Sequence, residues 1–169
     1  TMFKKSLKIQ PNRSEARKGI GYINFQLGNL QEAEKMFKQC LALNPVSNPV
    51  FELITGNNAI APFKLQTTPL TKLGRIYLIH GENQKAVEQF LKELKLQPDQ
   101  SDAYDGLGWA YLADKRELEA RAAFRMAIRL APLNNSSHKG LRQAKEALIR
   151  KRLSEKTDLS AKFLQTNPN

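Results

Sequence analysis

The chain repeats its own residue pattern at a spacing of 34 positions, and this period limits the possible fold more than any other feature. Gly74 and Tyr77 in one stretch return as Gly108 and Tyr111 in the next. The other recurring pairs are Leu73 with Leu107, Ala86 with Ala120, Phe90 with Phe124, Leu96 with Leu130, and Pro98 with Pro132. A fixed period of this length is typical of solenoids, in which each unit packs only on its neighbours.

An earlier copy of the pattern precedes the second copy by 53 residues instead of 34. Its glycine, phenylalanine and proline are Gly21, Phe37 and Pro45. The 19 extra residues predict an insertion at 48–66, which is too apolar to stay in solvent. We interpret it as a strap over the helix edges; the alternative is a segment that flanks a binding groove. Residues 1–13 match only the last part of a unit, so they predict a half repeat.

Each unit contains two helical patterns joined by a short polar turn. In the third unit the first pattern runs through Tyr104, Leu107, Gly108 and Tyr111, and the second through Ala120, Ala123, Phe124, Ala127 and Ile128. These spacings of three and four residues place each set on one face of a helix. Gly28 and Gly81 stand in the turns of the first two units, where a positive φ favours glycine. A proline closes each unit because proline cannot continue a helix interior.

The pattern W-x2-L-G-x2-Y, followed by A-x3-F and a final P, marks the tetratricopeptide repeat. The third unit resembles it closely, since Tyr104 replaces the tryptophan and the other residues match. The resemblance implies an all-α fold, an α-solenoid of tandem antiparallel helix pairs with a C-terminal capping helix. The predicted organisation is a half repeat (second helix only) at 1–13, repeats at 14–47, 67–100 and 101–134, the insertion at 48–66, and a capping helix with a tail at 135–169.

Small residues explain how the two helices of a unit pack. We expect the helices to approach closely at Gly108 and Ala120, because larger side chains would hold the backbones apart. Gly106 lies off this stripe and has Lys72 at the matching position of the second unit. We interpret it as leaving room for a bound chain beside Trp109. The capping helix is expected at 136–156, followed by a helical turn or a loose tail.

The resemblance also implies a concave groove lined by the first helix of each pair. The predicted groove residues are Lys18, Tyr22, Phe25, Lys72, Arg75, Asp102, Asp105, Trp109 and Leu112. Trp109 is expected to point into the groove, so that Trp109→Ala weakens binding and leaves folding nearly intact; the alternative is that it packs on the neighbouring first helix. With lysine and arginine on one side and two aspartates on the other, the groove favours a peptide with both charges, or a helix.

Some tetratricopeptide domains bind the C-terminal carboxylate of heat-shock chaperones through lysines, asparagines and an arginine on successive first helices. Lys18 stands at one such position, but Tyr22 and Lys72 replace asparagines. Asp102 and Gly106 replace the basic pair, and Asp102 would repel a carboxylate. This chain therefore lacks the pattern for that ligand.

No residues combine at the spacing of a catalytic or metal site, so we predict that the chain is not an enzyme and needs no cofactor and no metal. His80 and His138 have no partners at such spacing. Cys40 occupies the position of Ala127 in the third unit and is interpreted as a small buried packing residue. The leading hypothesis is a non-catalytic scaffold or adaptor for a protein or peptide, within a larger protein.

Charge leaves other functions open. The formal net charge is +11, and eight basic and three acidic residues stand between Lys139 and Lys162. Binding of nucleic acid or an anionic membrane by the C-terminal helix is therefore an alternative, although nucleic acid is disfavoured because the aromatic residues stand elsewhere. A further alternative is a repeat segment of a bacterial secretion apparatus or a larger enzyme. The half repeat also raises the hypothesis of a homodimer. A transmembrane run is not present, and the cytoplasm is slightly favoured over the periplasm.

Overall fold

The computed structural model describes the backbone of residues 14–43 and 68–166 and the side chains of residues 14–43, 68–159 and 162. Over these ranges the chain forms seven α-helices and no strand. The helices are α1 Ser14–Gln26, α2 Leu30–Leu43, α3 Pro69–Ile79, α4 Asn83–Leu96, α5 Ser101–Ala113, α6 Glu117–Leu130 and α7 Asn135–Thr166. The predicted half repeat at 1–13 and insertion at 48–66 lie outside the described residues.

The helices pack in consecutive pairs, α1 with α2, α3 with α4, and α5 with α6. Each pair is joined by a turn of three residues, which is short enough to require antiparallel neighbours. The pairs stack along the chain, since α4 packs on α5 and α6 packs on α7. The prediction of an all-α solenoid of tandem helix pairs is confirmed. The exact repeat boundaries stay a prediction.

In every pair, the middle residue of the turn has a left-handed backbone conformation. Gly28 and Gly81 have φ values of 78° and 75°, as their positions predicted. The third turn has Lys115 at the matching place, with a φ of 58°. Lysine in this conformation brings its Cβ close to the following carbonyl oxygen, so this turn carries backbone strain that the other two avoid.

In each pair, one phenylalanine of the second helix fills the space between the two helices. Phe37, Phe90 and Phe124 are fully buried, and their rings lie against Gly21, Gly74 and Gly108 of the first helix. A Cβ at these glycines would lie 2.6 to 2.8 Å from a ring carbon, closer than side chains normally approach. The glycines are therefore needed because an aromatic ring, rather than the facing backbone, occupies the space between the helices.

Gly106 serves the contact between neighbouring pairs. A Cβ at Gly106 would overlap the ring of Phe90, and a Cβ at Gly140 would overlap that of Phe124 in the same way. Phe90 and Phe124 thus each lie between the glycine of their own pair and a glycine of the next first helix. The interpretation of Gly106 as room for a bound chain is wrong, because Phe90 already fills that space. The same spacing identifies α7 as a fourth first helix, with Gly140 standing 34 residues after Gly106.

The last helix is longer than the sequence suggested. It continues without a break to Thr166, through residues expected to be a turn or a tail. Its first half packs on the preceding pair through Ser137, Gly140 and Ala144, all buried. Beyond residue 150 every side chain that is described on this helix is exposed, although Lys151 still forms an ion pair with Glu117 of α6.

Candidate functional site

The first helices α3, α5 and α7 lie side by side, since α3 contacts α5 and α5 contacts α7, and Lys72 of α3 reaches two rings of α1. Eight of the nine predicted groove residues are half-buried on these helices. The exception is Asp105, which is 2% exposed. The half-buried eight are Lys18, Tyr22, Phe25, Lys72, Arg75, Asp102, Trp109 and Leu112. We refer to the surface made by these eight residues as the groove.

Aromatic rings and a lysine meet where α1 faces α3. The Lys72 ammonium lies 4.8 Å from the centre of the Phe25 ring and 5.8 Å from that of Tyr22, within the range of cation–π attraction. Burial lowers the pKa of Lys72, and the nearby positive charge of Arg75 lowers it further. Tyr22 in turn packs edge-on against Phe37 of the core, with ring centres 5.3 Å apart. Both aromatic side chains are therefore packed against the core and are only half-exposed.

Lys18 stands beside this region on α1. Its ammonium pairs with Glu15 of the same helix, with an N–O distance of 2.8 Å. A pair three residues apart on a helix surface contributes little to stability, about 0.2–0.5 kcal/mol. Lys18 is therefore partly neutralised, while the local positive charge of the groove comes mainly from Lys72 and Arg75.

Asp105 connects α5 with α7 and does not line the groove. Its carboxylate accepts hydrogen bonds from the hydroxyl groups of Ser137, at 2.7 Å, and Ser136, at 3.0 Å. The Arg75 guanidinium lies 3.9 Å from the same carboxylate. The prediction that Asp105 lines the groove is wrong, because its charge is buried and already bound by two serines.

Trp109 is part of the same connection. Its indole N–H donates to the Ser136 hydroxyl at 3.0 Å, and its ring packs edge-on against Phe124 with centres 5.3 Å apart. Leu112 packs on the same cluster, which also contains Ala120. Trp109 therefore contacts both its own second helix and the next first helix, and only part of its ring faces the groove. The expectation that it points away from the core holds only in part.

The charge of the groove differs from the sequence-based expectation. With Asp105 buried, Asp102 is the one acidic residue left among the eight, against three cations. The Arg75 Nε atom is buried and has no hydrogen-bond partner among the described residues, while the side chain as a whole is 37% exposed. Of the two aspartates predicted on the acidic side, only Asp102 is left at the surface. The groove is predominantly cationic at its centre.

Serines were not among the predicted site residues, although they organise the site. Asn134 caps α7, since its side-chain oxygen accepts hydrogen bonds from the backbone N–H groups of Ser136 and Ser137. The repeat period indicates a second role for these serines, because Ser137 stands 34 residues after Ala103, which is buried. A hydroxyl at a buried position requires a polar partner. That partner is Asp105.

A second buried carboxylate was also missed. Glu93 is 1% exposed and stands 34 residues before the buried Ala127. The hydroxyl of Thr68 donates to its Oε2 atom, whereas Oε1 has no partner among the described residues. Burial raises the pKa of Glu93, and the bond from Thr68 opposes this only in part. The side chain lies at the start of α3, and its position in the repeat was the signal that could have revealed it.

Other reactive residues show no catalytic arrangement. Cys40 is buried, as predicted, and burial raises the pKa of its thiol, which disfavours the reactive thiolate. His80 and His138 are exposed, and His138 Nε2 donates to the carbonyl of Pro132 at 2.7 Å. Over the described residues, no three side chains of the histidine, cysteine, aspartate or glutamate type converge in a way that could hold a metal ion. In the same part of the chain, each helix is too short or too polar to cross a membrane.

Comparison with known families agrees with this architecture. Two tetratricopeptide repeat models match the sequence, one over residues 19–47 and the other over residues 71–135. Together they cover more than half of the chain. The chain belongs to the tetratricopeptide repeat family. The matched ranges contain the phenylalanine and glycine contacts of all three helix pairs.

A curated relative of this repeat chain is tetratricopeptide repeat protein 6 of Homo sapiens, 29% identical over 146 residues. That alignment covers 78% of this chain and 28% of the relative, so the chain spans little more than a quarter of that protein.

Solved tetratricopeptide domains share the fold at low identity. The first such domain of human RPAP3 superposes with a TM-score of 0.67 at 22% identity, over 85% of this chain and 98% of that one. The first domain of Spaghetti (RPAP3), bound to the HSP90 peptide SRMEEVD, gives 0.66 at 20%, over 80% and 93%. The MamA protein gives 0.69 at 21%, over 96% and 78%. At these identities the likeness shows the fold alone.

Proposed function

We propose that this chain is a non-catalytic protein-interaction module of a longer protein, which binds an acidic, partly apolar peptide segment in the groove. The observation that carries this proposal is the pair of half-buried cations at the centre of the first-helix layer. Lys72 and Arg75 stand one turn apart on α3. Lys72 reaches Phe25 of α1, and Arg75 reaches Asp105 of α5.

The chemistry of this pair favours a carboxylate ligand. Ser136 and Ser137 already donate hydrogen bonds to Asp105, so donors of the Arg75 guanidinium remain available to another acceptor. An arginine can bind a carboxylate through two parallel hydrogen bonds. Burial disfavours the charged form of Lys72, and a bound carboxylate would favour it. A ligand acid would therefore find two donors on adjacent turns.

The aromatic side chains supply the apolar part of the site. Tyr22 and Phe25 are fixed by the core and remain half-exposed beside Lys72. Rigid aromatic residues are common among those that dominate binding energy. We propose that an apolar side chain of the partner lies on these rings while a neighbouring acid meets the cations. The chaperone carboxylate site is not proposed, since Gly106 stands where it needs a basic residue and is covered by Phe90.

The test is a selection of peptides from a random phage-displayed library, followed by affinity measurement by fluorescence anisotropy. Selected peptides should contain an acid next to a large apolar residue. Lys72→Met and Arg75→Met remove charge but keep an apolar stem, and each should lower affinity about tenfold, the effect of losing about 1.4 kcal/mol. Lys92→Met, at an exposed position of α4, is the matched control and should bind normally. Selected peptides that bind both groove variants with the same affinity as the unsubstituted chain would refute the proposal.

A further inference from the structure

Helix α7 departs from the repeat pattern at two positions. In the three pairs a first-helix glycine, such as Gly108, makes room for a phenylalanine of the second helix. Thirty-four residues after Gly108 the chain has Arg142, and thirty-four after Tyr111 it has Lys145. Both side chains are exposed. A long charged residue in place of the glycine leaves no space for a ring, so α7 cannot pair with another second helix of the same kind, either its own or that of a second copy.

The face of α7 that would otherwise pack on a second helix has an unusual composition. Four cations and two apolar residues share one stripe of α7, at spacings of three and four residues that place them on one side of a helix. We call this stripe the outer face of α7, and it consists of Arg142, Lys145, Ile149, Arg152, Leu153 and Lys156. It lies opposite the buried Gly140 and Ala144, and all six of its side chains are exposed.

The two apolar side chains lie in the middle of the cations. Ile149 is 59% exposed and Leu153 is 58% exposed, one turn apart. Glu146 pairs with Arg150 at 3.8 Å, and Arg152 of the stripe lines a pocket together with Glu117 and Glu155. Lys151, on another side of the helix, is paired with Glu117 at 3.7 Å. None of the acids of this helix is one of the six stripe residues, and the outer face combines four cations with two apolar side chains.

We infer that the outer face of α7 is a docking site for an anionic lipid surface. A cluster of four or more basic residues on one side of a helix attracts anionic headgroups, each cation contributing a factor of about five in affinity. Apolar side chains between the cations add affinity by entering the boundary between headgroups and acyl chains. The helix would lie along the surface, and the groove, on other residues, would remain free.

Nucleic acid fits this face less well. Single strands are bound mainly by aromatic stacking, and the outer face of α7 has no aromatic residue. Duplex binding depends on polar contacts to phosphates, for which an exposed isoleucine and leucine at the centre of the face offer nothing. Both apolar residues are instead accounted for by a lipid surface, which receives charge and apolar groups together.

The experiment is co-sedimentation of the 169-residue chain with vesicles of phosphatidylcholine, with and without phosphatidylserine. Binding is expected only with phosphatidylserine and should weaken with added salt. The pair Arg142→Glu and Lys145→Glu should lower binding at least about thirtyfold, a factor of about five for each lost cation. The pair Lys92→Glu and Lys95→Glu changes the net charge equally on exposed positions of α4 and should lower it far less. Circular dichroism verifies that both variants are folded.

A second variant tests the apolar contribution. Ile149→Ser with Leu153→Ser keeps every charge and should still lower vesicle binding, by about tenfold. Failure to bind phosphatidylserine vesicles at low salt would overturn the inference, as would equal losses in the two charge variants or no loss in the serine variant. Tighter binding to mixed-sequence duplex DNA than to vesicles, abolished by the α7 charge variant, would assign the face to nucleic acid. None of these results changes the prediction for the groove, since Lys72→Met leaves α7 intact.

Discussion

Glu93 should destabilise the fold at neutral pH and do so much less in acid. The two matching positions of the other repeats contain Cys40 and Ala127, both small and buried. The Glu93 carboxylate is just as buried, and one of its oxygens has no partner among the described residues. A buried polar group without a hydrogen bond costs about 1–3 kcal/mol, and a charged one costs more. The least costly form of this side chain is therefore the protonated one.

The direction of the pH effect follows from the pKa. Burial raises the pKa of Glu93 in the folded chain above that in the unfolded chain. The proton stabilises the fold fully below the ordinary carboxyl pKa of about 4.3, and this contribution is lost as the pH rises through the raised value. Glu93→Gln resembles the protonated form at every pH. We expect it to match the unsubstituted chain near pH 4 and to exceed it in stability by about 1–3 kcal/mol at pH 8.

The measurement is urea unfolding, followed by circular dichroism at both pH values, with the slope against urea compared between variants. Glu88→Gln is the matched control, because Glu88 is an exposed carboxylate on the same helix. It should change stability by less than about 0.5 kcal/mol at either pH. A Glu93→Gln variant that is less stable than the unsubstituted chain at pH 8 would show that the carboxylate has a charged partner. A difference that does not depend on pH would show that folding does not raise the carboxyl pKa. Either result would refute this reasoning.

Three further changes test the packing. Lys115→Gly should stabilise the chain by about 0.5–1 kcal/mol in thermal unfolding, since its φ of 58° is unfavourable for lysine, whereas Gly81→Ala should destabilise it. Gly106→Ala should lower the free energy of unfolding by about 1–2 kcal/mol, because the strain against Phe90 exceeds the gain in helix propensity. Adding Phe90→Leu should recover part of this loss in a double-mutant cycle. Trp109→Ala should cost about 2 kcal/mol, because the ring packs on Phe124, and an unchanged melting temperature would contradict that contact.

The fold could be predicted from the sequence because its signals are local and repeated. The pattern of Gly74, Tyr77 and Phe90 returns in phase, and each copy adds independent support for the helix pair. The aromatic ring that fills the gap beside each glycine could not be predicted, since it depends on which side chain arrives from the partner helix. Gly106 was misinterpreted for this reason: its partner, Phe90, belongs to the preceding pair.

Helical spacing could place the groove residues on the right helices, but it could not predict how exposed each side chain is. Helical spacing identifies the face on which Asp105 and Trp109 lie, and the structure puts both at the contact with α7. Whether that contact buries them depends on Ser136 and Ser137, which come more than 25 residues later in the chain. An aspartate without these hydroxyl groups would be expected at the surface. Buried polar groups are specified by pairs, and a periodic pattern shows only one member of a pair at a time.

Departures from the repeat pattern carry more information about this chain than agreement with it. A glutamate at a small-residue position, Glu93, introduces a charge that the core does not satisfy. A lysine at a turn glycine, Lys115, strains the backbone without altering the helix pair. An arginine at a packing glycine, Arg142, removes the space for a ring and frees a helix face. The consequence differs because each position is limited by a different factor, namely solvation, backbone conformation or volume. Of the three, only the change in volume leaves a large surface that no helix of the described ranges covers, and the cations and apolar residues on that surface are the basis for the proposed lipid contact.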